Sequence, residues 1–277
     1  MKRFLFPAVL LFLLAGAASG VCADAVALRY GFKPGQQWTC TRLSLMQFMA
    51  MGKMQTQRTR HKILYTVSKG PKKGWVHLSA RYTDPPPDAK GNPMAMALYD
   101  LTFHADVHPS GDTRAVRVEG LDQPAAADPT LDPMAQANLR QGRQMMADSY
   151  KDAVFWFPEL PEEKLSPGDD FEFKRRSKMG NQMMAITSQS RQEFTLDEVN
   201  QGLAYFELRE KTASQNKTMG ADVKTKSAGK GESIFDLKSG MWIELVIKRK
   251  MSVGNLPMAG GGGQEMQMME KMEMQLN

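Results

Sequence analysis

Apolar and polar residues alternate with a period of two along most of this chain, which predicts strands, because successive side chains of a strand point to opposite faces. Leu28, Tyr30 and Phe32 alternate before the corner Pro34-Gly35. Ile63, Tyr65 and Val67 alternate before a Gly- and Lys-rich turn that ends at Gly74. Beyond it Val76, Leu78, Ala80 and Tyr82 take one face and His77, Ser79 and Arg81 the other, which makes a hairpin. Leu101, Phe103, Ala105 and Val107 form a further half-buried strand that stops at Pro109-Ser110-Gly111. Later in the chain Phe171 and Phe173 alternate, and Phe194, Leu196 and Val199 lead into the turn Asn200-Gln201-Gly202. Ala204, Phe206 and Leu208 follow on one face. In the strand after Gly240, Met241, Ile243, Leu245 and Ile247 share a face, which leaves Trp242 on a mixed, partly wet one.

The order of these signals repeats. Lys33-Pro34-Gly35-Gln36-Gln37-Trp38 is matched by Ser166-Pro167-Gly168-Asp169-Asp170-Phe171. Each corner precedes a strand, a Met-rich segment around a glycine (Gly52, Gly180), a polar strand and a glycine turn (Gly74, Gly202). Each series closes with an Asp-apolar stretch ending in Ser-Gly, at Gly111 and at Gly240. The expected architecture is mainly β: two similar antiparallel curved-sheet modules in tandem, 26–120 and 160–255. The linker 121–159 between them contains one helix, and a glycine linker and Met-rich tail occupy 256–277.

Four stretches break the alternation. Residues 84–93 hold several prolines, which cannot donate to a ladder, and read as an exposed loop. Residues 132–154 read as the helix, with Asp132 as its cap, Pro133 in its first turn and Met134, Leu139, Met145, Met146 and Tyr150 as apolar positions. After it, Phe155-Trp156-Phe157-Pro158 is an aromatic cluster placed to wedge between the modules. In the tail, Met266, Met269 and Met272 are spaced to form one stripe of a helix over 264–276.

Composition narrows the function class. Lys2 and Arg3 before the apolar run of residues 4–18 form a secretory signal, read as residues 1–23, so the mature chain is expected in the periplasm or outside the cell. The run is too short for a span of about 20 residues, and no stable membrane span is expected after cleavage. The residues before Cys22 do not fit a lipidation site. Cleavage after residue 23 leaves Cys40 alone, a small residue in a strand, and a cut before Cys22 would let the two pair. The net charge of +6 falls to +4 without Lys2 and Arg3. The basic residues look dispersed, as in 58–62, 174–176 and 248–250, and read as solvated strand faces, not a nucleic-acid footprint. Attraction to anionic envelope polymers or lipid headgroups is compatible with this charge.

Leu28-Arg29-Tyr30-Gly31-Phe32-Lys33-Pro34-Gly35 opens the mature chain, Phe157 to Phe171 carries Leu160-Pro161 and Gly168-Asp169, and Gly229-Lys230-Gly231 leads to Phe235-Asp236 and Gly240. With these motifs the chain resembles a family of exported bacterial β-rich proteins whose function is unknown, with patterns of the form LRY-F-PG, LP-xx-V-xx-GD-x-W and G-x-G-xx-FD. The resemblance spans most of the mature chain and implies the β-rich fold and export but no activity. The chain departs from it at Phe171, where Trp is usual, and in its tail.

Candidate chemistry is sparse. There is no Gly-x-Ser-x-Gly elbow, no His-Glu-x-x-His and no phosphate-cradling loop, so no enzyme and no cofactor are expected. His104, Asp106 and His108 alternate as metal ligands on one strand face would, although the outer Cα atoms stand about 13 Å apart at a rise of about 3.3 Å per residue. The 22 methionines are the compositional outlier. Met266, Met269 and Met272 offer thioethers that suit a soft metal such as Cu(I). Met46, Met49, Met51, Met183 and Met184, with Phe155 and Trp156, could line an apolar cleft if the two sheets face one another. The leading expectation is a non-catalytic exported protein that binds a lipid-like ligand or an envelope partner. A purely structural scaffold and soft-metal handling by the tail are the alternatives.

Overall fold

The computed structural model describes residues 25–50, 53–85, 96–121, 133–180, 184–218, 221–254 and 264–277. The signal segment therefore lies outside the described residues, as do Cys22, Met51, Met183, Asp132, most of the loop 84–93 and the glycine linker.

The chain is mainly β, with one long helix. The strands are β1 (Gln37–Ala50), β2 (Lys53–Lys69), β3 (Val76–Thr83), β4 (Thr102–Val107) and β5 (Thr113–Glu119). Helix α1 (Pro133–Val154) separates them from β6 (Asp170–Gly180), β7 (Met184–Asn200), β8 (Leu203–Thr218), β9 (Ala221–Asp236), β10 (Met241–Gly254) and β11 (Gln264–Leu276). All eleven join one antiparallel sheet in the order β5-β4-β3-β2-β1-β11-β10-β9-β8-β7-β6. The two halves of the sequence are thus meanders in a single continuous sheet. They lie side by side through β11 in that one sheet.

The tail is a strand, not a helix. Its composition of Met, Glu, Gln and Lys favours helix, but β11 finds a ladder partner on each side, β1 through Trp38↔Leu276 to Phe48↔Met266 and β10 through Glu244↔Glu273 to Val253↔Gln264. Two ladders outweigh a local preference of a few tenths of a kcal/mol per residue. Period two replaces period three: Met272 and Met274 are buried and Met269 points to the opposite face.

The repeated corners fold alike. Gly35 (φ +91°) donates to Val67 O, Val67 N–H donates to Gln36 O and Gln36 N–H to Lys33 O. Gly168 (φ +95°) donates to Leu196 O, Leu196 N–H to Asp169 O and Asp169 N–H to Ser166 O. In both, a positive φ that glycine adopts without a Cβ clash turns the chain into the first strand of a meander.

One end of the sheet holds the core, on one face. Trp38, Tyr65, Leu78, Phe103, Phe194, Phe206, Phe235 and Trp242 are all less than 2 % exposed there. Trp242 is inside, against the period-two expectation, because a bulge between Trp242 and Glu244 shifts the alternation of β10. The segment after α1 joins the two meanders. Phe157 packs edge-on against Tyr30, Phe32 and Tyr65, while Trp156 lies 6.4 and 6.3 Å from Phe194 and Trp242. Two buried phenols tie it down, Tyr65 donating to Val154 O at 2.6 Å and Tyr30 to Pro158 O at 3.1 Å. Trp242 Nε1 donates in turn to Tyr30 Oη.

The N-terminal segment crosses the same end. Gly31 N–H donates to Gly240 O, and a Cβ on Gly31 would stand 2.1 Å from Ser239 O. The opening motif and the closing Ser-Gly turn are therefore one contact. The sheet curls until its edge strands β5 and β6 both touch α1. Across that seam Thr113 and Val116 of β5, Lys151 and Phe155 beside the helix end, and Phe173 of β6 share a cavity of about 220 Å³.

Candidate functional site

Beyond the aromatic core, the inner face of the longer strands changes character. Leu208 and Ile247 end the apolar layer, and the next inward positions are Gln192, Glu210, Gly229 and Arg249 on β7, β8, β9 and β10, aligned in register. Arg249 grips Glu210 with two hydrogen bonds, Nε to Oε1 at 2.7 Å and Nη2 to Oε2 at 3.0 Å. Its Nη1 reaches Glu270 on β11 at 2.6 Å. Gln192 donates to Glu210 at 2.7 Å and accepts from Trp156 Nε1 at 3.1 Å, which links this belt to the core. Thr212 supplies another donor to Glu210.

Arg249 on β10 meets Glu210 on β8 only by crossing β9. The position between them is Gly229, where a Cβ would lie 2.9 Å from Arg249 Cγ. The Gly-x-Gly motif thus leaves room for an ion pair. Burial alone would raise the Glu210 carboxyl, but the hydrogen bonds and charge of Arg249, with those of Gln192 and Thr212, hold it below its ordinary value. Glu210 is a locked carboxylate, unsuited to acid–base work. Burial pushes the Cys40 thiol up, with the charge of Arg42 opposing, so Cys40 is a neutral core residue.

A concavity of about 830 Å³ opens on the opposite face of these strands. Its lining includes two adjacent rows across six strands, with Glu210, Gly229, Arg249 and Met268 at the positions between them. One row runs Leu45, Met269, Lys248, Lys230, Arg209, Glu193, and the next Gln47, Gln267, Lys250, Ala228, Lys211, Arg191. Six strands at about 4.8 Å spacing make the groove about 24 Å long. At its β1–β11 end Met269, 38 % exposed, lies beside Leu45, with Gln47 and Gln267 in the adjoining row. Its β8–β10 end is cationic. Arg191 is held by Glu172 at 2.6 Å, whereas Arg209, Lys211, Lys230, Lys248 and Lys250 have no salt bridge among the described residues. The next row toward the core carries Glu207 and Glu232, so the positive field opens toward the hairpin tips.

The sequence missed this surface. In 248–250 the outer two residues reach the groove and Arg249 points inside; in 174–176 the outer two take the same outward face and Arg175 faces in. Alternation, combined with a register set by distant partners, gathers charges that look scattered along the chain.

The other expected sites fare unevenly. Met46 is half-buried on the inner face, while Met49 is 45 % exposed on the outer one. Phe155 is buried in the core and Trp156 half-buried beside it. Met184 begins β7. Of the described side chains, Met46, Met49, Phe155 and Trp156 do not share one cleft. Met266 and Met272 share the inner face and Met269 takes the other, so the tail does not bring three thioethers together. Met268 instead sits 3.9 Å from Arg249 Nη1.

His104 and Asp106 occupy the outer face of β4, but His77 of β3 stands between them. Its Nδ1 is 2.9 Å from Asp106, and its Nε2 3.2 Å from His104 Nδ1. His104 Nε2 faces Glu119 at 3.1 Å. His108 lies past the strand end and pairs with Ser110 at 2.9 Å. The result is a hydrogen-bonded chain, and among the described residues no group of three His, Cys, Asp or Glu side chains is arranged to hold a metal. Desolvation lowers the His104 value, with Glu119 opposing and His77 and Arg117 assisting.

Among the described residues no helix is long and apolar enough to cross a membrane. The outward faces of β6 to β10 carry Lys, Arg and Glu where a membrane barrel would carry an apolar band.

No family model matches the sequence, and no curated protein matches it. Among solved structures, the chain is similar to the β domain of the Bordetella autotransporter BrkA, with 9% identity, a TM-score of 0.37 and coverage of 87% of this chain and 99% of that one. It is also similar to a putative exported protein with YmcC-like fold from Bacteroides fragilis, with 11% identity, a TM-score of 0.28 and coverage of 91% and 100%. A third is Ail, the attachment invasion locus protein of Yersinia pestis, with 6% identity, a TM-score of 0.21 and coverage of 88% and 100%. At these TM-scores the likeness goes no further than a curved antiparallel sheet and says nothing of function.

Proposed function

We propose that this chain is a non-catalytic exported protein that binds a lipid-like ligand in the groove on the outer face of β1 and β7 to β11. The observation that carries the reading is the groove itself. At about 830 Å³ it is of the size of small-ligand sites, roughly 300–1,000 Å³. Its floor at one end is Leu45 and Met269, and the aliphatic stems of lysines extend that apolar surface. Of the two carboxylates in its lining, Glu193 and Glu210, the latter is immobilised by Arg249. Membership of the exported β-rich family is part of the same reading, supported by the contact of Gly31 with Gly240, which joins two of its motifs.

The test is binding of an uncharged fluorescent monoacyl probe to the full chain. Saturable binding, weakened at least fivefold in the double variant Leu45→Asn with Met269→Asn, is expected. An unchanged titration in that variant, or no binding by the native chain, overturns the proposal.

A further inference from the structure

Three directly opposed cations cross the groove, Arg209 on β8, Lys230 on β9 and Lys248 on β10, with Lys211 and Lys250 in the adjoining row. Like charges directly opposite on neighbouring strands destabilise a sheet, and none of these five is neutralised by a salt bridge among the described residues. Glu193, directly opposite Arg209, is the one carboxylate in these two rows, and the remaining excess of positive charge is available to an anion from outside. The apolar end of the same groove, at Leu45 and Met269, favours an amphiphile over a hydrophilic polyanion.

We infer that the groove binds a phosphate-bearing anionic lipid met at a bilayer surface, with the phosphate on the row Arg209, Lys230 and Lys248 and the acyl portion over Leu45 and Met269. This inference rests on the binding reading above and adds the charge of the ligand and where it is met. Basic residues beside an anionic leaflet each contribute an attraction that salt screens. The groove's length of about 24 Å accommodates a headgroup at one end and apolar chain at the other.

The full chain is tested by flotation with vesicles of phosphatidylcholine alone and of phosphatidylcholine with phosphatidylglycerol. Anionic vesicles are expected to bind at least tenfold more tightly, with binding falling as salt rises. Lys230→Gln and Lys248→Gln should each weaken it roughly fivefold without lowering Tm, since each relieves a repulsion. Lys72→Gln with Lys73→Gln, on the exposed β2–β3 turn at the other end of the sheet, removes twice the charge of either single variant and should still change binding less than twofold. Equal loss in that control shows generic attraction and overturns the inference. So do equal affinity for neutral and anionic vesicles, or binding of soluble dextran sulfate through the same lysines with no vesicle binding. If the inference fails while the uncharged acyl probe still needs Leu45 and Met269, the apolar site stands without its anionic specificity.

Discussion

The two meanders begin with the same corner and diverge in what their strands carry beyond it. In the first, β3, β4 and β5 are short, at 8, 6 and 7 residues, and end near the aromatic core. Their polar chemistry is the outward chain Asp106, His77, His104, Glu119. In the second, β7, β8 and β9 run 17, 16 and 16 residues. Their extra length passes beyond the core, needs the buried belt around Arg249 on one face and presents the cationic groove on the other. Equal corners thus launch unequal meanders, and the long strands β1 and β7 to β11 together carry the groove.

The belt should be the largest point of difference. Arg249→Met leaves Glu210 buried without its cation, and a loss of about 3–5 kcal/mol in urea denaturation is expected. A loss within 1 kcal/mol would mean the second meander does not depend on the belt. Gly229→Ala should cost about 1–3 kcal/mol by pushing Arg249 off its path, and pairing it with Arg249→Met should be markedly less than additive.

The corners should show no difference. A Cβ at Gly35 or Gly168 meets nothing within 4 Å, so alanine at either place is opposed only by the positive φ. Both should lose about 1–2 kcal/mol, and the two losses should agree. Unequal values would show that the corners are alike in geometry but not in energetic role.

Acid should separate the halves more gently. The native values of His104 and Glu210 both lie below their unfolded ones, so each group stabilises fully above its unfolded value and loses that contribution as pH falls through the native one. For His104 the loss begins below about pH 6.5, and for Glu210 below about pH 4.5. Hydrogen exchange followed from pH 7 downward should loosen β3 and β4 before β8 and β10. The smallest effect is expected from Glu119→Gln, which removes the group that raises His104 and should move its NMR titration further down.

Much of the scaffold was legible in the sequence. Period two gave the strands, Pro133 and the apolar positions after it gave α1, and the Pro-Gly corners marked equivalent turns. The aromatic wedge at Phe155 to Phe157 also lies where its composition suggested, bridging the two meanders. The tail misled because Met266, Met269 and Met272 fit a helical spacing, and only pairing with β1 and β10 reveals them as strand residues. Trp242 misled because a bulge is a local insertion that alternation does not announce. The site was hidden for a different reason. Gly229, Glu210 and Arg249 become neighbours through register between distant segments, and the charge rows form only when three strands align.

The central placement of β11 bears on how the molecule is made. Until residues 264–276 emerge, β1 and β10 each expose an unsatisfied edge, and the earlier strands amount to two half-finished ribbons that cannot zip together. A chain with this connectivity completes its sheet only when β11 takes its place between β1 and β10. The same dependence makes loss of that strand a route to edge-to-edge aggregation.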